Sequence, residues 1–327
     1  MAKSPEGSMS KPTIILVGAD KGGVGKTTVT RTLLDYLEAK AIPRRAFDTE
    51  TPRGALKRFH PDLTRVVDIT AASDQMAIFD TLRQGETTII DVRAGQLLTT
   101  LMAMRDIGFL DATQRGDYNV ILFHILGPSI GSLDEIAHTA ELLAGVPHIL
   151  VKNFINNTTF FDWDPTTTNA YFKRIKGVKE IEVKRLNELA CEQVELAGVS
   201  FSNFIANRLP EGRDAPFSFV LRGYVRHWLH NVFAEYDRVG LVDMIDTRRR
   251  LERPLGGAFS EPPKPDLGKS DFGKSDFAKP DLGKSDLGKA DIGKSDYIKP
   301  EPPKGGAGNI AAAAGGRPVV TNRPAAE

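Results

Sequence analysis

Residues 18–28 constrain this chain's fold more than any others. They read Gly-Ala-Asp-Lys-Gly-Gly-Val-Gly-Lys-Thr-Thr, after the apolar run Ile14, Ile15, Leu16, Val17 and before a segment with apolar residues at Val29, Leu33, Tyr36 and Leu37. The order is strand, glycine-rich loop, helix. Gly22, Gly23 and Gly25 free the backbone to wrap an anion, so that successive N–H groups and the positive end of the following helix face a phosphate chain. A phosphate-binding loop is the expectation.

The general pattern G-x-x-x-x-G-K-[ST] fits at Gly25, Lys26 and Thr27 and departs at its first glycine, whose place is read here as Ala19. A second lysine, Lys21, opens the run Lys-Gly-Gly-Val-Gly-Lys-Thr-Thr. That run resembles, without a gap, the deviant Walker A motif of the ParA/MinD family of ATPases within the P-loop NTPase superfamily. The resemblance implies that Gly22, Gly23, Val24, Gly25, Lys26, Thr27 and Thr28 hold ATP. In the family the loop lysine, here Lys26, grips the outer phosphates, and the hydroxyl of Thr27 ligates Mg2+. Lys21 would reach the nucleotide of the partner in an ATP-sandwiched homodimer, which gives both lysines a catalytic part.

Further along, residues 41–47 offer a second strand ending at Asp48, Thr49 and Glu50. A carboxylate at a strand's C-terminal end faces the crevice where open parallel sheets bind ligands. Asp48 matches the first acid of the family's Asp-x-Asp segment, which implies a catalytic and metal-side role near the γ-phosphate; Glu50 departs from the second acid. A turn or helix-capping carboxylate is the other reading of Asp48. Residues 87–91, Thr-Thr-Ile-Ile-Asp, form a buried-strand pattern closing on Asp91, and Asp91, Ala94 and Gly95 resemble the family's Walker B and switch segment. There the aspartate contacts Mg2+ and the glycine lets the loop move. Arg93 departs from the small or apolar residue expected between them. It either stabilises charge on the triphosphate or pairs with a surface carboxylate, and the pairing is preferred.

The remaining segments alternate. A short strand is expected at 66–69, helices at 74–82, 96–105 and 132–143, strands at 119–125 and 148–154, and a helix at 182–196. This is the α/β pattern of a doubly wound, mostly parallel sheet flanked by helices. Asn153, at the end of the last strand, occupies the place where the family reads adenine, its amide offering both donor and acceptor. Pro210, within 207–211, resembles the family's later loop along the base, although turn chemistry explains a proline equally well. Residues 156–177 hold the Thr, Asn, Phe and Trp163 that would contact a substrate if the chain were a metabolic relative.

A helix over 217–236 has Val220, Leu221, Tyr224, Val225, Trp228, Leu229, Val232 and Phe233 on its apolar side, and it carries Arg222, Arg226, His227 and His230, with Arg248, Arg249 and Arg250 beyond. A non-specific DNA surface and a solvated helix face are both open readings. The net charge of +1 argues against coating nucleic acid by bulk charge. Cys191, the one cysteine, falls in a helical pattern with Leu186, Leu189 and Val194 and is read as a packed core thiol. No apolar run approaches the roughly 20 residues of a membrane span, so a cytoplasmic protein without membrane insertion is expected.

Residues 1–12 read as a flexible lead-in, 13–250 as the ATPase domain, and 251–327 as a low-complexity tail. Between 265 and 299 the tail repeats every five residues, with Leu267, Phe272, Phe277, Leu282, Leu287, Ile292 and Tyr297 at the apolar position. Seven repeats make fewer than two coils of a pentapeptide β-helix, so a disordered tail that binds a protein partner through spaced apolar residues is preferred.

The function that follows from the resemblance is an ATP-dependent dimerising switch that hydrolyses ATP slowly and positions cargo such as a plasmid or chromosome. A conjugative-transfer or secretion ATPase of the same family is the alternative. A metabolic ligase is disfavoured by Lys21, and a scaffold without turnover is disfavoured by the set Lys26, Thr27, Asp48 and Asp91.

Overall fold

The computed structural model describes residues 11–127, 130–155, 166 and 177–245. Most of the lead-in, the candidate substrate segment apart from Thr166 and Gly177, the arginines at 248–250 and the repeat tail lie outside the described residues.

Among the described residues seven strands form one sheet: β1 (Thr13–Gly18), β2 (Arg44–Asp48), β3 (Thr64–Val66), β4 (Thr87–Asp91), β5 (Asn119–Ile125), β6 (His148–Asn153) and β7 (Lys179–Val183). Their order is β3-β2-β4-β1-β5-β6-β7, and every pairing is parallel. A sheet covered on both faces needs strands apolar on both faces, and β1 is buried at all six positions. Its side chains alternate between two cores. Ile15 and Val17 pack with Val29, Leu33 and Tyr36 of α1 (Lys26–Ala39) and with Val225, Val232 and Tyr236 of a long helix near the end of the fold. Ile14 and Leu16 pack on the opposite face with Leu97, Leu101 and Met104 of α3 (Leu97–Asp106), Ile78 of α2 (Ala72–Phe79) and Phe109 of α4 (Phe109–Arg115).

The sheet is completed by α5 (Ile130–Leu142), α6 (Glu188–Ala197), α7 (Phe201–Ile205), α8 (Phe219–Arg238) and α9 (Leu241–Ile245). The hydroxyl of Ser218 caps α8 by accepting from the Leu221 N–H. Its buried residues Val225, Trp228, Leu229, Val232 and Tyr236 make one stripe. Val220 and Tyr224, expected on that stripe, stand exposed on the first two turns.

Three expectations change. The strand expected at 66–69 is Thr64–Val66, paired beside β2. The helix expected over 182–196 is divided. Ile181 and Val183 point into the core as alternate residues of β7, and a new helix starts only at Glu188, where the Asn187 side chain accepts from the Ala190 N–H at 3.1 Å. Cys191 is an exposed thiol, because Ala190 and Val194 are the residues α6 buries. Among the described residues no helix is long and apolar enough to cross a membrane.

Candidate functional site

Parallel register brings the strand ends together. Asp48 pairs with Asp91 across β2 and β4, and Asp91 pairs with Val17, one residue before the loop begins. Two carboxylates thus sit on adjacent strands at the mouth of the glycine-rich loop.

The loop ends on Gly25, at φ 87°, a left-handed conformation that favours glycine. A Cβ there would also fall 2.1 Å from Asn153 Nδ2. Lys26 opens α1, and its ammonium donates to the Lys21 carbonyl at 2.9 Å. Burial lowers the Lys26 pKa, and the negative charge of Asp91 opposes that shift. A cavity of about 310 Å³ lies over the loop. It is lined by Gly22, Gly23, Gly25, Lys26, Thr27 and Thr28 of the loop and the start of α1, by Asp48 and Glu50 at and after the end of β2, and by Asp91, Val92, Arg93 and Ala94 at and after the end of β4. Ile155 also lines it.

Asp91 is 4% exposed, and its Oδ1 has no hydrogen-bond partner among the described residues. Burial, and then the neighbouring Asp48, push its carboxyl up to about 7, while the Thr27 and Thr30 hydroxyls and the Lys26 ammonium pull it down. An orphaned carboxylate oxygen beside the hydroxyl of Thr27 is a hard, oxygen-only donor pair. It fits Mg2+, an ion that keeps most of its waters and takes few protein ligands. Asp48 is committed differently. Its Oδ1 accepts from the Glu50 N–H at 2.9 Å and its Oδ2 from the Leu56 N–H at 2.8 Å, so both oxygens shape the turn after β2. Its carboxyl is raised by burial against these amide bonds. Asp48 lines the cavity, but its geometry is that of the turn carboxylate.

Sequence reasoning passed over Thr49. Its N–H and hydroxyl both donate to the Asp91 carbonyl, at 3.0 and 3.2 Å, and its Oγ1 accepts from the Arg93 N–H at 2.8 Å. The segment after β4 is thereby tied to the end of β2. A Cβ on Gly22 would lie 3.8 Å from Ala94, which places the expected switch segment against the loop, and Gly95 follows at φ 75°.

One correction concerns the loop's register. Counting five residues back from Gly25, the first-glycine position is Asp20, not Ala19. The Asp20 N–H donates to Glu135 Oε1 at 2.7 Å, and the same oxygen lies 3.3 Å from Nε2 of the fully buried His124. Burial, then Glu135, raise the Asp20 pKa. Glu135 carries no sequence signal of this contact, since it comes from a helix far along the chain. Lys21 is exposed and lines none of the cavities described here; its carbonyl is what the site uses.

A second cavity of about 240 Å³ shares Thr28 and Ile155 with the first and is walled by Arg31, Asn153, Leu186, Cys191 and Trp228, among others. Asn153 lines this second cavity and not the one over the loop. Its Nδ2 donates to the Val24 carbonyl at 2.9 Å, so one side of the amide braces the glycine-rich loop. Pro210 is not brought to either cavity. It lines a separate one of about 270 Å³ beside Arg44, His60 and Asn203, in a loop closed by the antiparallel bridge between Arg208 and Asp214.

No protein-family model matches this chain, and no curated protein matches it. Among solved structures the chain is similar to a nucleotide-binding protein in complex with ADP from Archaeoglobus fulgidus, at 16% identity and a TM-score of 0.38, over 57% of this chain and 86% of that one. It is also similar to the MinD cell division protein of Aquifex aeolicus, at 14% identity and a TM-score of 0.34, over 67% and 96% of the two chains. FlhF complexed with GMPPNP and Mg2+ is similar at 15% identity and a TM-score of 0.31, over 68% and 74%. The all-parallel sheet with a glycine-rich loop between β1 and α1 is itself the architecture of a P-loop nucleoside-triphosphatase fold, and the loop residues resemble those of the ParA/MinD family.

Proposed function

We propose that this chain is an ATP-dependent switch that binds ATP with Mg2+, hydrolyses it slowly, and pairs into a homodimer in the ATP state to position a cellular cargo. The observation that carries the reading is the cavity over the loop, which gathers Lys26, Thr27 and an Asp91 with one unpartnered buried oxygen. When bound, Mg2+ neutralises charge between the β- and γ-phosphates. Thr27 and Asp91 are the residues that would hold it. The backbone of residues 22–27 would cradle the phosphates, and the adjoining cavity behind Thr28 and Ile155 has room for the nucleoside, with Leu186 and Trp228 as apolar walls. Thr49 links the β2 and β4 loops, so drawing one toward a γ-phosphate moves the other.

Homodimerisation rests on Lys21, whose exposed side chain is free of the cavity and available to a second copy. A non-specific DNA track would use the exposed Arg226, His227 and His230 of α8. The repeats at 265–299 would supply a protein partner's docking segment. Conjugative transfer or secretion is served by the same switch with a different cargo.

The test is light scattering on the full chain with Mg2+ and either ATP or ADP, with nucleotide binding followed by calorimetry. A dimer that requires ATP, is lost in Lys21→Ala and is absent when Lys26→Ala blocks binding supports the reading. A monomer in both nucleotides, with ATP shown to bind, refutes the dimer switch; no ATP binding refutes the whole assignment.

A further inference from the structure

Arg93 is the departure within the switch segment that the proposed function does not use. Its backbone is held on both sides. The Val92 N–H donates to the Val17 carbonyl at 2.9 Å, and the Arg93 N–H donates to Thr49 Oγ1 at 2.8 Å. The Cα is therefore fixed by the ends of β1, β2 and β4, and the residue lines the cavity over the loop. Arg31, Arg44 and Arg45 form ion pairs with Glu195, Glu38 and Glu86. The exposed Arg93 side chain has no ion pair or hydrogen bond among the described residues, although Asp48 and Glu50 line the same cavity. The preferred sequence reading, a pairing with a surface carboxylate, is not what the described residues show.

The charges of the cavity give this isolation a meaning. Its lining holds three carboxylates, Asp48, Glu50 and Asp91, against two cations, Lys26 and Arg93. A triphosphate entering there brings more negative charge, and hydrolysis redistributes it over the γ-oxygens and the leaving β-phosphate oxygen. Lys26 belongs to the start of α1; Arg93 is the second cation of the lining, and it comes from the segment after β4, whose Ala94 lies 3.8 Å from where a Cβ on Gly22 would stand.

Resting on the proposed ATPase function, we propose that Arg93 is a catalytic residue that binds the γ-phosphate of the nucleotide held by its own subunit. In the step it assists, the water oxygen bonds to the γ-phosphorus as the bond to the β–γ bridging oxygen breaks. The electron pair stays on the ADP β-phosphate, and the water's proton leaves with inorganic phosphate. Arg93 donates hydrogen bonds from its planar fork to the γ-oxygens and transfers no proton.

Single-turnover hydrolysis and nucleotide affinity are measured for the wild type, Arg93→Ala and Arg93→Lys, with thermal unfolding to verify that the exposed substitutions leave the fold intact. Arg93→Ala is expected to slow hydrolysis at least about a hundredfold while ATP affinity falls less than about tenfold. Arg93→Lys should recover little, because a lysine lacks the bidentate fork. The fold-difference between wild type and Arg93→Ala should persist when the protein is diluted below the concentration at which light scattering still detects the dimer, since each subunit uses its own arginine. Wild-type hydrolysis in Arg93→Ala, or a loss confined to affinity, overturns the assignment; a difference that vanishes on dilution overturns its action within one subunit. A wild type that binds no ATP overturns it together with the proposed function, and the affinity measurement separates that outcome from the others.

Discussion

Asp35 lies on α1, the helix that carries the phosphate loop's lysine, and it is fully buried. Its Oδ2 accepts a long 3.3 Å hydrogen bond from the Ser202 N–H, and its Oδ1 has no partner among the described residues. Burial pushes its carboxyl from the ordinary 3.8 up to about 7, with Glu38 adding to the rise and the Ser202 bond and Arg31 opposing it. The folded protein therefore holds this proton where the unfolded chain releases it. Below pH 4 both states are protonated and burial has little electrostatic cost. Between pH 4 and 7 the unfolded state alone ionises, and stability falls by about 1.4 kcal/mol per pH unit. Above pH 7 the loss is complete, on the order of 4 kcal/mol. Asp35→Asn removes the titration but leaves an amide N–H2 where Oδ1 lacks a partner, at a cost of about 1–3 kcal/mol at every pH. The variant should thus be less stable than the wild type at pH 4 and more stable at pH 8, by about 1–3 kcal/mol. Urea unfolding of both proteins from pH 4 to 8 measures the difference, in which other titrating groups such as Asp91 cancel. A variant equally destabilised at all pH values would refute the reasoning, because it would mean that Asp35 is ionised and compensated in the fold.

Asn153→Ala removes the 2.9 Å bond that braces the loop at Val24, and nucleotide affinity is expected to fall about five- to tenfold, the worth of one buried hydrogen bond, as read by calorimetry. Gly25→Ala meets both a left-handed backbone and an overlap with Asn153, so it should abolish nucleotide binding in a protein that still shows native circular dichroism. Glu195→Gln leaves the 2% exposed Arg31 without its carboxylate. Because Glu195 is itself 47% exposed and Arg31 keeps its stacking on Phe59 and Phe201, the loss in urea unfolding should be about 1–2 kcal/mol, below that for a fully buried pair.

The fold's centre was legible because its signals are local. Ile14 to Val17 announce a strand buried on both faces, and the glycines with Lys26 and Thr27 announce the turn into α1, since backbone freedom and apolar runs are properties of adjacent residues. Asp91 was legible for the same reason, a carboxylate closing an apolar run. β7 was not: Ile181 and Val183 offer two alternate apolar residues, too few to outweigh the helical pattern that follows, until β6 supplies the neighbouring edge.

The amino-acid sequence by itself determined the strand-loop-helix unit, the alternation around it, and the residue types that a phosphate chain and a magnesium ion require. Tertiary structure alone decided what each of those residues is free to do. Asp48 is held by two amides of its own turn, the Asn153 amide is turned to the loop, Pro210 is carried to another cavity, and Arg93, which lines a cavity with three carboxylates, has no ion pair among the described residues. The physical reason is that a hydrogen bond or an ion pair belongs to two groups at once. When those groups lie far apart in the chain, only strand register and packing determine whether they meet.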